Sequence, residues 1–279
     1  MQTPGSLPEN RPLRKPAWLK VRLPGTAETG KVKAVLSHYQ LHSICQEARC
    51  PNIAECFQEG TATFLILGSV CTRNCLYCNV LHDKPRAPDY SEAERVVAAV
   101  RELALKYIVI TSVTRDDLPD GGAHMFAGCV EGLRTHVRDC RVEVLVPDFM
   151  GNHSALDRVM DSGPDVLNHN LEVVPSLFNN LRPQGDYRRS LNLLHHAKTR
   201  GGMIIKSGFM IGFGENGRDI ENLLNDLLDA GCDHVTIGQY QQPTQRHFPV
   251  AKYYHPDEFA SLKGSALNMG FSYVEAGPL

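Results

Sequence analysis

The sequence predicts an α/β fold, a partial (β/α)6 barrel preceded by an N-terminal extension. Three observations carry that prediction. Six short apolar runs, at 62–67, 107–111, 142–146, 165–167, 203–211 and 234–238, read as strands. The stretches between them are amphipathic with a 3.6-residue period and read as helices. Strands joined in this way run parallel through right-handed crossovers, and both faces of such a sheet need cover, so six units in series curl into a partial barrel.

Residues 1–60 read as an arm followed by a cysteine-bearing segment, and residues 61–279 as one compact catalytic unit. From Arg11 to Lys33 seven basic residues face the single acid Glu28, the composition of a solvated arm or of a dock for an acidic partner. Cys45 and Cys50 are expected in a loop, with Pro51 opening a short helix that presents Cys56. Ser91-Glu92-Ala93-Glu94 has the form of a capping box, opening a helix that buries Val96, Val97, Val100 and Leu103. After Gly217 a helix shows Ile220, Leu223, Leu224, Leu227 and Leu228 on one face, and Gly231 ends it.

Composition excludes several classes. At 42% hydrophobic and 22% charged, the 279 residues can build a sizeable core, and a net charge of −2 gives no global footprint for nucleic acid. No apolar stretch approaches the roughly 20 residues of a membrane span, and no leader pattern opens the chain. A cytoplasmic, reducing location is the expectation. Six of the nine cysteines crowd between Cys45 and Cys78, unlike the even spread of a disulfide scaffold, and packed thiols in a reducing compartment point to metal.

Cys71, Cys75 and Cys78 form C-x3-C-x2-C just after the first predicted strand. Only one C-x2-C pair is present, whereas structural zinc usually closes four ligands from two such pairs; the zinc reading would have to borrow His82. Three thiolates on a four-iron cubane leave one iron without a protein ligand, open to a substrate or cofactor. Cys45, Cys50 and Cys56 form a second triad, C-x4-C-x5-C, which matches no ferredoxin spacing; zinc with His42 is its rival reading.

The first triad, including the aromatic Tyr77 before its last cysteine, resembles the signature of the radical S-adenosylmethionine (SAM) superfamily. The chain is further similar, almost end to end, to the lipoyl synthase family. That resemblance rests on residues 41–78, then VITSVTRDDLPDGG, LVPDF, NHNLE, KSGFMIGFGE, GQYQQP and PDEF in this order. It implies a radical SAM type barrel, two 4Fe-4S clusters and SAM. In such enzymes the open iron chelates the SAM amino and carboxylate groups, and the reduced cluster splits SAM to a 5′-deoxyadenosyl radical. The second cluster, on Cys45, Cys50 and Cys56, is auxiliary and donates the sulfur inserted at C6 and C8 of an octanoyl chain. That chain is carried on a lysine of a lipoyl carrier domain. An electron donor such as a flavodoxin or ferredoxin is implied; nucleic acid and membrane are not.

By the same resemblance Tyr77, Gly121, Gly122, Asn170, Glu172, Lys206, Gly212 and Gly214 border the SAM. Each also has a plain structural reading: turns for the glycines, capping for Asn170 and Glu172, an ion pair for Lys206. A Rossmann reading of 212–217 fails, because the motif stands in the fifth unit with no acid after the next strand. Arg115, Asp116 and Asp117 are expected to pair with one another, His169 to be a hydrogen-bonded structural residue, and Cys129, Cys140 and Cys232 to be small buried residues. Family members continue past Gly277-Pro278 into an Arg-Ser-Ser-Tyr segment whose serine ligates the auxiliary cluster, and this chain stops at Leu279. Without that tail both clusters are expected to assemble while sulfur insertion is impaired. A biotin-synthase-like enzyme and a zinc-stabilised binding module are the rivals; the upstream triad argues against the first, and metal content tests the second.

Overall fold

The structure, a computed structural model, describes residues 13–19, 27–47, 61–137 and 139–279. All six expected strands are present: β2 (Thr61–Ile66), β5 (Tyr107–Ser112), β6 (Arg141–Leu145), β7 (Val166–Asn168), β8 (Ile204–Ile211) and β9 (His234–Gln239). They pair in that order and all in parallel. The sheet extends at both ends by strands that carry no apolar run. β10 (Tyr273–Gly277) adds in parallel to β9, and the short β1 (His42–Ser43) adds antiparallel to β2. A separate two-strand ribbon, β3 (Val70–Cys71) and β4 (Leu81–His82), brackets the first cysteine triad.

Alternation decides which face meets the helices. Ile108, Ile110, Val142, Val144, Leu167, Ile205 and Val235 point outward and are fully buried. The layer over them is formed by α3 (Glu92–Leu103), α4 (Ala123–His136), α5 (His153–Asp161), α6 (Pro175–Leu181), α7 (Tyr187–Arg200), α8 (Gly217–Asp229) and α9 (Pro256–Met269). Burial of each such aliphatic side chain is worth about 1.5–3 kcal/mol, which makes this outer interface the main stabilising layer. The α8 face is as the periodicity requires: Ile220, Leu223, Leu224 and Leu227 are buried, and Gly231 follows the helix at positive φ.

The capping box at Ser91 does not form. Ser91 is already helical at φ −81°, ψ −5°, so its side chain cannot reach back to the first turn. Asp89 takes the capping position instead, accepting from the Ser91 N–H at 3.0 Å and the Ser91 hydroxyl at 2.7 Å. Glu92 turns inward and accepts the Leu67 N–H at 2.7 Å, tying α3 to the end of β2. Cys45 also departs from expectation, lying within the single helical turn α2 (Ile44–Glu47) rather than in a loop. Helix α1 (Ala27–His38) precedes it, and the arm at 13–19 lies against the barrel, with Leu19 buried and the Lys15 ammonium 3.0 Å from Gln241. Among the described residues no helix is long and apolar enough to cross a membrane.

Candidate iron–sulfur and cofactor site

The loop of Cys71, Cys75 and Cys78 follows β2 at the carboxyl end of the barrel, where the loops after parallel strands build sites. It is pinned on two sides. Toward β5, the Thr72 N–H and hydroxyl both donate to the Thr114 carbonyl, at 3.0 and 2.9 Å, and Asp116 N–H donates back to the Thr72 hydroxyl at 3.1 Å. Arg73 places its guanidinium between Asp116 and Asp148, the latter from the loop after β6. Toward β9, Phe248 N–H donates to the Leu76 carbonyl at 2.9 Å, and a His247 ring nitrogen lies 3.0 Å from the Cys78 carbonyl. Residues 244–247 and the cysteine loop together line a cleft of about 710 Å³.

The thiols sit in an environment that resists charge. Burial pushes the Cys78 thiol up to about 12 and raises the Cys75 thiol too, while the neighbouring Arg182 guanidinium pulls Cys75 back. A group of bound cations reverses that balance and takes thiolates outright, so the donor chemistry suits a cluster. Among the described residues no three His, Cys, Asp or Glu side chains converge as ligands of a single ion would. Cubane thiolates instead bind three separate irons.

Arg182 is the residue the sequence reading misses. It caps α6, donates to the Asn170 and Leu171 carbonyls at 3.1 and 3.0 Å, and lies over the Phe178 ring. It sits electrostatically beside Cys75, Tyr77 and Glu172, and its Nε has no hydrogen-bond partner among the described residues. A buried guanidinium beside Cys75 with one N–H unmet fits a site that receives an anionic group. No local pattern marks it, because its neighbours come from distant loops.

The expected cofactor residues divide. Tyr77 packs edge-on against Phe213, and Phe213 stacks on Tyr240, which brings the Gly212–Gly214 turn to the cysteine loop. Glu215 fixes that turn, accepting Gly212 N–H at 2.7 Å, Phe213 N–H at 2.9 Å and the Tyr254 hydroxyl at 2.8 Å. Gly212 must be glycine: φ is +119°, and an added Cβ would lie 2.3 Å from Gln239 Nε2 and 2.8 Å from the Lys252 carbonyl. Asn170 and Glu172 lie just beyond β7, with Glu172 at φ +69° beside Arg182. Burial raises the Glu172 carboxyl, and Arg182 and Asn170 oppose the shift. Gly121 and Gly122 form a left-handed turn before α4, where Asp120 accepts Gly122 N–H and any Cβ on Gly122 would strike Leu67. Lys206 stands apart: its Nζ lies 3.0 and 3.1 Å from the Glu143 carboxylate, inside the barrel. The pair with Glu143 is the partner that a charge inside an apolar strand requires.

The second triad is described in part. Cys45 is buried in α2, its N–H donating to Ser43 Oγ at 3.3 Å, whereas Cys50 and Cys56 lie outside the described residues. Asn79, the residue after Cys78, donates to the Glu47 carbonyl at 3.1 Å, so the Cys45 turn is tied to the first triad's loop. His42, the zinc rival's ligand, has its Nδ1 3.0 Å from Glu47 Oε1. The remaining cysteines are buried, and Arg115 forks onto Asp117 as expected, while Asp116 is taken by Arg73.

His169 is structural in the expected sense. Its Nδ1 donates to the Val146 carbonyl at 2.8 Å, and burial, with Arg182 nearby, lowers the imidazole from 6.5 to about 4. Between those values the unfolded chain binds a proton that the folded chain refuses, so stability falls as pH drops through that window. Urea unfolding should show a loss of about 2–3 kcal/mol between pH 7 and pH 4.5 that is absent in His169→Gln. An equal acid slope in both proteins would refute this.

Comparison with known proteins completes the picture. Residues 65–227 match the model of the radical SAM superfamily, and residues 5–50 match the N-terminal domain of lipoyl synthase. Lipoyl synthase from Rubrobacter xylanophilus is 49% identical over 266 residues, covering 95% of this chain and 83% of that protein. The lipoyl synthase of Chlorobium phaeovibrioides is 48% identical over 267 residues, covering 95% and 94%. Among solved structures, Streptococcus suis SuiB bound to S-adenosylmethionine superposes with a TM-score of 0.61 at 12% identity, over 83% of this chain and 54% of that one. Methylornithine synthase (PylB) does so at 0.56 and 13%, over 88% and 81%; both likenesses concern the fold alone. With its cysteine loop at the mouth of a parallel barrel and close relatives along nearly its whole length, the chain belongs to the lipoyl synthase family and is a radical SAM enzyme.

Proposed function

We propose that the chain inserts two sulfur atoms, at C6 and C8, into an octanoyl chain bound to a lipoyl carrier protein in the cytoplasm. The hydrogen bond from Asn79 to the Glu47 carbonyl carries this reading, because it holds the Cys45 turn against the loop of Cys71, Cys75 and Cys78. The first triad would hold a 4Fe-4S cluster with one iron left open, and Cys45, Cys50 and Cys56 an auxiliary 4Fe-4S cluster that supplies the sulfur. With SAM, the first cluster supplies a radical able to take hydrogen from a carbon that offers no acid–base handle.

The chain's own residues do the rest. Tyr77, Gly121, Gly122, Asn170, Glu172, Gly212 and Gly214 would frame the SAM. Glu215 keeps the glycine turn open to it, and His247 braces the cysteine loop at the Cys78 carbonyl. A flavodoxin- or ferredoxin-like donor would deliver the electron.

The test is iron and acid-labile sulfide on anaerobically reconstituted protein, with low-temperature EPR after reduction. About eight irons and eight sulfides, with a signal altered by SAM, supports the proposal. Roughly four irons would leave a radical enzyme without its sulfur donor, and zinc without sulfide would favour a binding module.

A further inference from the structure

The cleft of about 710 Å³ beside the cysteine loop has a use that the cofactor frame does not explain. Cys75, Cys78 and Asn79 of that loop line it together with Arg246 and His247 from the loop after β9. It shares no described residue with the set proposed above to frame the SAM. Leu81, 63% exposed, borders this cleft and also the next hollow along the surface.

The surrounding charge has one sign. No carboxylate is among the described residues that line the cleft. Arg246 is exposed there, and Lys84 and Arg86 are exposed in the neighbouring hollow; among the described residues none of the three is in an ion pair. In that hollow Asp89 is taken by Arg95 and Glu92 is buried on the Leu67 N–H, which leaves Asp83 as the exposed acid. Lys15 of the arm adds a further cation where its ammonium meets Gln241, five residues before Arg246. Lys15, Lys84, Arg86 and Arg246 thus stand against Asp83, in a chain whose net charge is −2.

We propose that this cleft and its cationic border are the docking surface for an acidic one-electron donor protein; this rests on the donor step proposed above. The octanoyl chain must touch the cofactor that takes its hydrogen, so it belongs within the SAM frame. An electron needs closeness and not contact, and Cys75 and Cys78 would bring the irons to the cleft. In the transfer a donor flavin goes from anionic hydroquinone to neutral semiquinone as the cluster gains the electron, and no proton moves. Electron-transfer complexes are among the smallest protein interfaces, and charges at their rim set the association rate more than the affinity. A few unpaired cations around one exposed leucine suit such a partner, which must leave after each electron.

The experiment follows reduction of cluster-loaded protein in a stopped-flow spectrometer, by a reduced acidic flavodoxin and, separately, by photoreduced deazaflavin, a small uncharged reductant. The wild-type rate with flavodoxin should fall steeply as salt is added. The triple variant Lys84→Glu/Arg86→Glu/Arg246→Glu should be reduced by flavodoxin about 30-fold more slowly at low salt, with a flattened salt dependence. By calorimetry it should bind the oxidised flavodoxin about tenfold more weakly. With deazaflavin it should match the wild type within about twofold, because no docking is involved. A control triple with the same charge change on exposed residues elsewhere, Arg101→Glu/Lys106→Glu/Arg218→Glu, should keep the flavodoxin rate within about threefold. A border variant that flavodoxin reduces as fast as wild type, or a control triple as slow as the border variant, overturns the proposal. So does a border variant that keeps the flavodoxin rate but raises KM for the octanoylated carrier, which would give the surface to the carrier. Failure of deazaflavin to produce any reduced cluster in the wild type would instead remove the cluster reading, and the proposal with it.

Discussion

Replacing Cys45 with alanine is expected to halve the cluster content, to about four irons and four sulfides per chain, while SAM cleavage persists. The two triads belong to different segments, so a ligand lost from one leaves the other's loop in place. Cys45 lies in α2, and alanine there keeps the helical turn and most of the buried volume. The Asn79 bond to Glu47 uses only the backbone carbonyl and survives the change. Reductive formation of 5′-deoxyadenosine should stay within about threefold of wild type, and thiolated octanoyl product should drop to background, a loss that only a missing sulfur donor explains. Cys75→Ala should show the opposite pattern, losing the SAM-dependent EPR change and all 5′-deoxyadenosine formation. Iron assay, EPR and product chromatography on both variants give the answer. A Cys45→Ala protein with undiminished iron would separate this cysteine from any cluster.

The two cysteine triads can be proposed from sequence alone because ligation would be a local constraint: three thiolates on one cubane need short, fixed spacings, and these are written in consecutive residues. The six strands were legible for a related reason, since burial on both faces turns each into an apolar run. β10 escaped because it is an edge strand with Tyr273 and Glu275 exposed, leaving no such run. The Ser91 box misled because the pattern is satisfied by composition alone, while Asp89 two residues earlier does the capping. Lys206 shows how far the sequence goes. A charge inside an apolar strand announces that a partner exists, and Glu143, equally isolated among Val142, Val144 and Leu145, makes the same announcement. What joins them is strand order, which a single sequence states only indirectly. Arg182 and the clasp around Arg73 likewise depend on loops brought together by the barrel.

Arg73→Met should be the most damaging substitution outside the cysteines, lowering the melting temperature of the cluster-free protein by roughly 6–12 °C. The Arg73 fork reaches Asp116 at 2.7 and 2.8 Å and Asp148 at 2.6 and 3.1 Å, and the Asp148 side chain is fully buried. Burial pushes the Asp148 carboxyl up, but Arg73 more than reverses this and holds it well below the usual carboxylate range. Removing one partner of such a pair costs about 3–5 kcal/mol, and the lower end applies because Arg189 remains 2.9 Å from Asp148. Arg73→Lys should recover less than half, since one ammonium cannot span two carboxylates as a planar fork does. The pH dependence has a definite sign. Asp148 is depressed in the folded state, so its contribution is complete above about pH 4 and fades as pH falls further; the wild type's lead over Arg73→Met should narrow there. Because Arg73 lies between Cys71 and Cys75, the variant should also release iron to a chelator faster than wild type at temperatures where both are folded. Calorimetric melting paired with iron-release rates checks both claims. A variant that melts within about 2 °C of wild type would show that Asp148 is satisfied by Arg189 alone and that the cysteine loop does not depend on the clasp.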